Sequence, residues 1–184
     1  MSPPWPNCGR CSVSERGRQR PHRVHVTFVC TGNICRSPMA EKMFAHQIAQ
    51  RGLSEKVRVT SAGTGDWHVG SGADHRAVRV LAERGYPTAH SAAQVGDDHL
   101  SADLLIALGR NHFRILSEMG AEPDRVRMLR SFDPRTGSHV PDVEDPYYGD
   151  LSDFVVAFDV IEAALPGLHD WVDEALARRG GSAR

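Results

Sequence analysis

An apolar run, Val24-His25-Val26-Thr27-Phe28-Val29, stops at Cys30-Thr31-Gly32-Asn33-Ile34-Cys35-Arg36-Ser37-Pro38, after which apolar residues recur at helical spacing as far as Gln50. Nothing else in the chain constrains its fold as tightly. The run is long enough for a buried strand, and Met39, Met43, Phe44 and Ile48 repeat along one side of a helix. A strand that feeds a helix needs a parallel partner reached by a crossover, so the joint between them lies at the carboxyl edge of a parallel sheet.

The remainder of the chain continues the alternation. Gly52 ends the first helix; residues 57–60 read as a second strand, and residues 73–84, closed by Gly85, as a second helix. Residues 104–108 and 126–129 give two more strands with a helix over 111–119 between them. The last long helix begins near Ser152-Asp153 and carries Phe154, Phe158, Ile161 and Leu165, and Pro166 is expected to interrupt it before Trp171 and Leu176 resume the stripe. The expected fold class is α/β, a doubly wound sheet flanked by helices. With 184 residues, 40% of them hydrophobic, the chain suits one domain with a substantial core rather than two. That domain is placed at residues 24–184. Residues 1–23, which hold five arginines against one glutamate together with proline, glycine and serine, read as a disordered extension.

The five residues between Cys30 and Arg36 suffice for the backbone to curl around a tetrahedral anion, with amides pointing inward and the positive end of the next helix added. A cysteine at a helix N-terminus beside an arginine is drawn toward the nucleophilic thiolate. Arg36 presents a planar fork that binds two phosphoryl oxygens together. Gly32 and Asn33 tolerate the left-handed backbone that inward amides require. Ser37 has two candidate roles, as N-cap ahead of Pro38 and as a hydrogen-bond partner of the Cys30 sulfur. The plainer alternative is a cysteine packed as a small hydrophobe within a chance C-x5-R spacing. The preceding strand, the Gly-Asn pair and the following Ser-Pro favour the catalytic reading.

From Val29 to Pro38 the sequence resembles the signature loop of the low-molecular-weight protein tyrosine phosphatases. Asp145-Pro146-Tyr147-Tyr148-Gly149 resembles their general-acid loop, and the likeness extends over about residues 24 to 179. Thr60-Ser61-Ala62-Gly63-Thr64-Gly65 and Asp66-Trp67-His68 are most similar to the actinobacterial branch. The resemblance implies four parallel strands in the order 2-1-3-4 and hydrolysis of phosphotyrosine through a phosphocysteine intermediate. It implies Cys30 as nucleophile, Arg36 as phosphate ligand and Asp145 as the acid that protonates the departing phenolate and then activates water. Thr31, Gly32, Asn33, Ile34, Cys35 and Ser37 complete the phosphate-binding loop. Asp142 is the alternative acid, and Asp133-Pro134 is assigned to an ordinary turn. Trp67, Tyr147 and Tyr148 are implied as walls for the substrate ring, although packing into a core is an alternative for Trp67, and His68 is expected to be a plain loop residue. Cys35 resembles the family's second cysteine, which forms a protective disulfide with the nucleophile; the alternative is a thiol packed under the loop. Tyr147 and Tyr148 are regulatory candidates, as targets of a tyrosine kinase.

Composition narrows the partners. A formal charge of -1 argues against nucleic acid, and no apolar stretch is long enough to span a bilayer. The resemblance implies phosphotyrosine proteins as partners, and the protein itself is expected to be a monomer. Without a secretory signal the expected location is the cytoplasm, with export by a route needing no cleavable signal left open. Cys8, Cys11, Cys30 and Cys35 make no disulfide framework. Cys8-Gly9-Arg10-Cys11 lacks a second half for a zinc site, and the ten histidines are scattered, so neither metal nor organic cofactor is expected. Two rival functions fit the same loop. One is arsenate reduction using an external thiol, since no cysteine follows Cys35 to relay electrons; the other is phosphotyrosine binding without turnover.

Overall fold

Every residue of the first strand, β1 (Val24–Cys30), is buried, which only a central strand covered on both faces allows. In the computed structural model, which describes residues 23–181, β1 pairs in parallel with β2 (Val57–Gly63) on one side and β3 (Leu104–Ala107) on the other. β4 (Val126–Met128) adds to β3, so the order is β2-β1-β3-β4. Between the strands lie α1 (Arg36–Gln50), α2 (His75–Glu83), α3 (Asp97–Leu100) and α4 (Arg110–Glu118), and α5 (Leu151–Gly181) ends the described chain. The doubly wound α/β sheet expected from the alternation is therefore present. The expected extension at residues 1–23, with Cys8 and Cys11, lies outside the described residues except for Arg23.

Alternation along β1 divides the core. Val24, Val26, Phe28 and Cys30 face α1, α2 and α5, where Phe28 meets Phe44 edge-on with ring centroids 5.9 Å apart. Val29 faces the opposite side with Leu105, Ala107, Leu116 and Val126. His25 and Thr27 would be polar liabilities there. They are satisfied by Thr60 on β2, whose hydroxyl bonds His25 Nε2 at 2.8 Å and donates to Thr27 at 2.9 Å. Burial, with Arg58 nearby, pushes the His25 imidazole down to about 4.

Register sets the site. Val29 pairs with Ala62 and with Ala107, and Cys30 pairs with Gly63, so three strands end together at one edge. β1 lies between neighbours reached in opposite directions, and the chain leaves it at the crevice where such sheets hold ligands.

Three details differ from the sequence expectation. α3 is a single short turn with no apolar period to announce it. The strand assigned to residues 57–60 runs on to Gly63, because β1 supplies partners for all seven residues. Pro166 does not interrupt the last helix, which is continuous through it. Ala164, Leu165 and Leu168 around the proline are buried in the main core, and packing on this scale offsets one missing backbone hydrogen bond. The next residue, Gly167, crosses the 3-10 turn Leu129–Phe132 so closely that an added Cβ would stand 2.3 Å from the Phe132 carbonyl oxygen.

Glycine to alanine inside a helix ordinarily gains about 1 kcal/mol. At Gly167 the sign should invert: Gly167→Ala is expected to lower the midpoint of urea unfolding, because backbone on both sides of the contact must shift. An unchanged or raised midpoint would show that the crossing has slack.

Candidate active site

The loop after β1 owes its shape to Asn33. It is the only described non-glycine residue with a positive φ, at 55°, and it is fully buried. Its amide nitrogen donates to Ser37 Oγ at 2.9 Å and to Ser61 Oγ at 2.8 Å, while its oxygen accepts from the Ala93 amide at 2.8 Å. His90 Nε2 donates to the Asn33 carbonyl at 2.8 Å, and Ser61 in turn donates to Glu41. Asparagine adopts the left-handed region more readily than other residues with a Cβ, and these bonds hold it there. Gly32, expected to share that conformation, does not. Its role is space, since a Cβ there would stand 2.8 Å from His68 Cδ2.

Ser37 also differs from its N-cap expectation. α1 begins two residues earlier than Pro38, at Arg36, and Cys35 is the cap without a side-chain bond. Inside the first turn, Ser37 Oγ lies 2.9 Å from Cys30 Sγ, which is its second expected role. Because the hydroxyl already accepts from Asn33, its single proton is free to point at the sulfur, with the Ala62 carbonyl farther away at 3.5 Å.

Arg36 is buried at the root of α1. One arm donates to the Val143 carbonyl at 3.1 Å and the other to Asp145 Oδ2 at 2.5 Å, joining the first loop to a segment 109 residues later. Its Nε is buried without a partner among the described residues. Asp145 caps the 3-10 turn Pro146–Tyr148, accepting from the Tyr147 amide at 3.3 Å, and its side chain remains 44% exposed. Asp142 instead accepts from the Arg110 amide at 3.2 Å and does not line the cleft. Asp133 closes its own turn by accepting from the Arg135 amide and guanidinium, as expected of an Asp-Pro turn.

These elements enclose a cleft of about 400 Å³ lined by Cys30, Thr31, Gly32, Ile34, Cys35, Arg36, Trp67, His68, Asp145, Tyr147 and Tyr148. Of the residues expected to form the phosphate-binding loop, Asn33 and Ser37 alone do not line this cleft. Trp67 is 73% exposed, so packing into the core is excluded for it. Cys35 is buried, and that burial pushes its thiol well above the ordinary range, with Asp74 adding to the effect. No group of three or more histidines, cysteines and carboxylates among the described residues is arranged to hold a metal.

A sulfur, a curled loop, an arginine and a carboxylate at one sheet edge match what comparison with known proteins finds. The profile of the low molecular weight phosphotyrosine protein phosphatases matches residues 25–179. The chain belongs to this family. It is 72% identical over 159 residues to low molecular weight protein-tyrosine phosphatase A of Mycobacterium tuberculosis, a match covering 86% of this chain and 98% of the relative. Identity to the Streptomyces coelicolor low molecular weight protein-tyrosine-phosphatase is 46%, covering 84% and 96% of the two chains. The crystal structure of the Entamoeba histolytica protein tyrosine phosphatase superposes with a TM-score of 0.77 at 30% identity, covering 83% of this chain and 98% of that one.

Several residues of this phosphatase-family site were not legible in the sequence. His68, expected to be an ordinary loop residue, covers Gly32 and lines the cleft. His90 and Glu41 buttress Asn33 from outside the motif. His112, on α4, bonds Thr31 Oγ1 through Nε2 at 2.9 Å, and its Nδ1 is buried without a partner among the described residues. Burial, aided by Arg36, pushes His112 down to about 4. No spacing rule connects positions 81 residues apart.

His25 and His112 are neutral in the folded chain at pH values where the unfolded chain protonates them. Their contribution is fully present above about pH 6.5 and declines toward pH 4, by up to roughly 1.4 kcal/mol per pH unit for each group. Denaturant titrations across that window should show the decline, and His112→Asn should flatten it. An identical slope in the variant would mean that His112 titrates normally.

Proposed function

We propose that the protein hydrolyses phosphotyrosine in proteins in two steps through a phosphocysteine. The observation that carries this reading is the convergence on one cleft of Cys30 Sγ, backed by the Ser37 hydroxyl, and of Arg36 and Asp145 in mutual contact. The Cys30 thiolate attacks phosphorus while the loop amides and Arg36 hold the equatorial oxygens. Arg36 Nε, buried and unpartnered, suits a phosphoryl oxygen, and the arm bonded to Asp145 turns to a second oxygen as substrate enters. Asp145, released from Arg36 and protonated from solvent, gives that proton to the departing phenolate and then takes one from the water that cleaves the sulfur-phosphorus bond.

Trp67 and Tyr147 on the rim grip the faces of a tyrosine ring, and their exposure suits a residue presented on a protein surface. Tyr148, 93% exposed, and Tyr147 are open to a kinase, and phosphate added there would place like charge beside the entry for an anionic substrate. Under peroxide, Cys30 sulfenic acid condenses with the Cys35 thiol, water leaves, and the resulting disulfide protects the nucleophile.

Cys30→Ser is expected to abolish turnover without unfolding the chain. Asp145→Asn should slow phosphotyrosine peptides by roughly 10²- to 10⁴-fold and aryl phosphates with acidic leaving groups far less, because the latter need little proton donation. Equal losses would remove Asp145 as the acid. Phosphoserine and arsenate, run beside them, are expected to be poor substrates; arsenate reduction faster than phosphotyrosine hydrolysis would replace this reading.

After mild peroxide, peptide mapping should find Cys30 joined to Cys35. Direct passage of Cys30 to sulfinic acid would remove the protective role.

A further inference from the structure

Asp145 is held over the cleft through Arg36, and that bond cannot last through a catalytic cycle. The guanidinium arm bonded to the carboxylate is needed by an incoming phosphoryl group, so binding substrate removes the contact that positions the acid. Something else must hold the 145–149 segment at the moment the proton is transferred.

Arg76, in the first turn of α2, is placed to do so. Its NH1 donates to the Gly149 carbonyl at 2.7 Å and its NH2 to the Tyr147 carbonyl at 3.0 Å. Among the described residues these are the hydrogen bonds that join Tyr147–Gly149 to a distant part of the chain, the others to this segment being local. The guanidinium is itself fixed on two sides. Asp74 binds its Nε and NH2 at 2.9 and 2.7 Å, and the plane lies over the Phe154 ring with Cζ 4.4 Å from the centroid. Asp74 is mostly buried, and the side-chain hydrogen bonds from Arg76 hold its carboxyl below the ordinary range, so the pair stays ionised. The Asp74 amide donates to the Ile34 carbonyl at 2.8 Å, inside the nucleophile loop. One short stretch, Asp74 to Arg76, thus touches both halves of the site.

We infer that Arg76 is a positioning residue for proton transfer: anchored by Asp74 to the nucleophile loop, it holds the acid segment in place after Arg36 has exchanged Asp145 for the substrate phosphoryl group. This rests on Asp145 being the general acid. The fork geometry is essential, because one planar group spans two carbonyls and a carboxylate, which an ammonium cannot do at the same distances. The cradle itself is untouched by Arg76, so the clamp acts on leaving-group departure and leaves phosphate binding alone.

The test separates these functions. Arg76→Gln and Arg76→Lys are each made alone and with Asp145→Asn, and kcat/KM is measured on a phosphotyrosine peptide and on an aryl phosphate with an acidic leaving group. Inhibition by inorganic phosphate reports on the cradle. The expected result is a loss of about tenfold or more on phosphotyrosine, less than about threefold on the activated substrate, and an inhibition constant for phosphate within about twofold of the parent. In the Asp145→Asn background either Arg76 substitution should cost little more, since a misplaced acid and an absent one are equivalent. Arg76→Lys keeps the charge and the stem over Phe154, so it supplies the reading if Arg76→Gln does not fold. Equal losses on both substrates, or additive losses in the double variants, would overturn the inference while leaving the acid intact. If Asp145→Asn itself fails to discriminate the substrates, the acid assignment falls first and the clamp with it.

Discussion

The site depends on one backbone conformation that proteins rarely adopt. Asn33 turns the loop through the left-handed region, and buried groups from four other places in the chain, Ser37, Ser61, His90 and Ala93, hold it there. A buried amide with all its hydrogen bonds made is costly to move, because each broken bond leaves an unsatisfied polar group without water. The loop is therefore rigid before any ligand arrives. Its rigidity also fixes Ser37, whose hydroxyl is oriented by the same amide and faces the Cys30 sulfur. The Cys30 sulfur and the loop around it are set by a single network.

The sheet supplies the remainder of the precision. β1 is buried on both faces, so its register cannot slip without taking His25 and Thr27 away from Thr60 and moving Phe28 away from Phe44 to the opposite face. With that register set, Cys30 can end only at the carboxyl edge, level with the ends of β2 and β3. Loops from β2, bearing Trp67 and His68, and from the region after β4, bearing Asp145, then reach the same crevice. Charge is distributed to match: Arg36 lies at the floor and Asp145 at the rim, bonded to each other at 2.5 Å. In the proposed mechanism a phosphoryl group competes for that bond, which would couple entry of the substrate to release of Asp145.

How much of this could be read from the chain differs by residue. The strands, the principal helices and the C-x5-R loop were legible, because hydrophobic period and glycine placement are local signals. The readings of Asp145 and of the aromatic residues came from resemblance rather than spacing; the dipeptide chemistry of Asp133-Pro134 is the same, and the turn expected of it is the one it closes. Three local rules were overridden by packing. Ser-Pro did not mark the start of α1, Pro166 did not break α5, and Gly32 is required for the space beneath His68 rather than for its dihedral angles. His90, His112 and Arg76 carried no signal, since each acts across 57 to 81 residues on partners that only the fold brings near.

The order of strands and helices, the position of Cys30 at the end of the first strand and the family follow from the sequence itself, because they depend on side-chain period and on a contiguous motif. The tertiary structure decided which aspartate lines the cleft with Cys30, which histidines are buried neutral, and how two loops more than a hundred residues apart share one arginine. These are matters of three-dimensional proximity and of water excluded from particular groups, and neither quantity exists until the chain has closed around them.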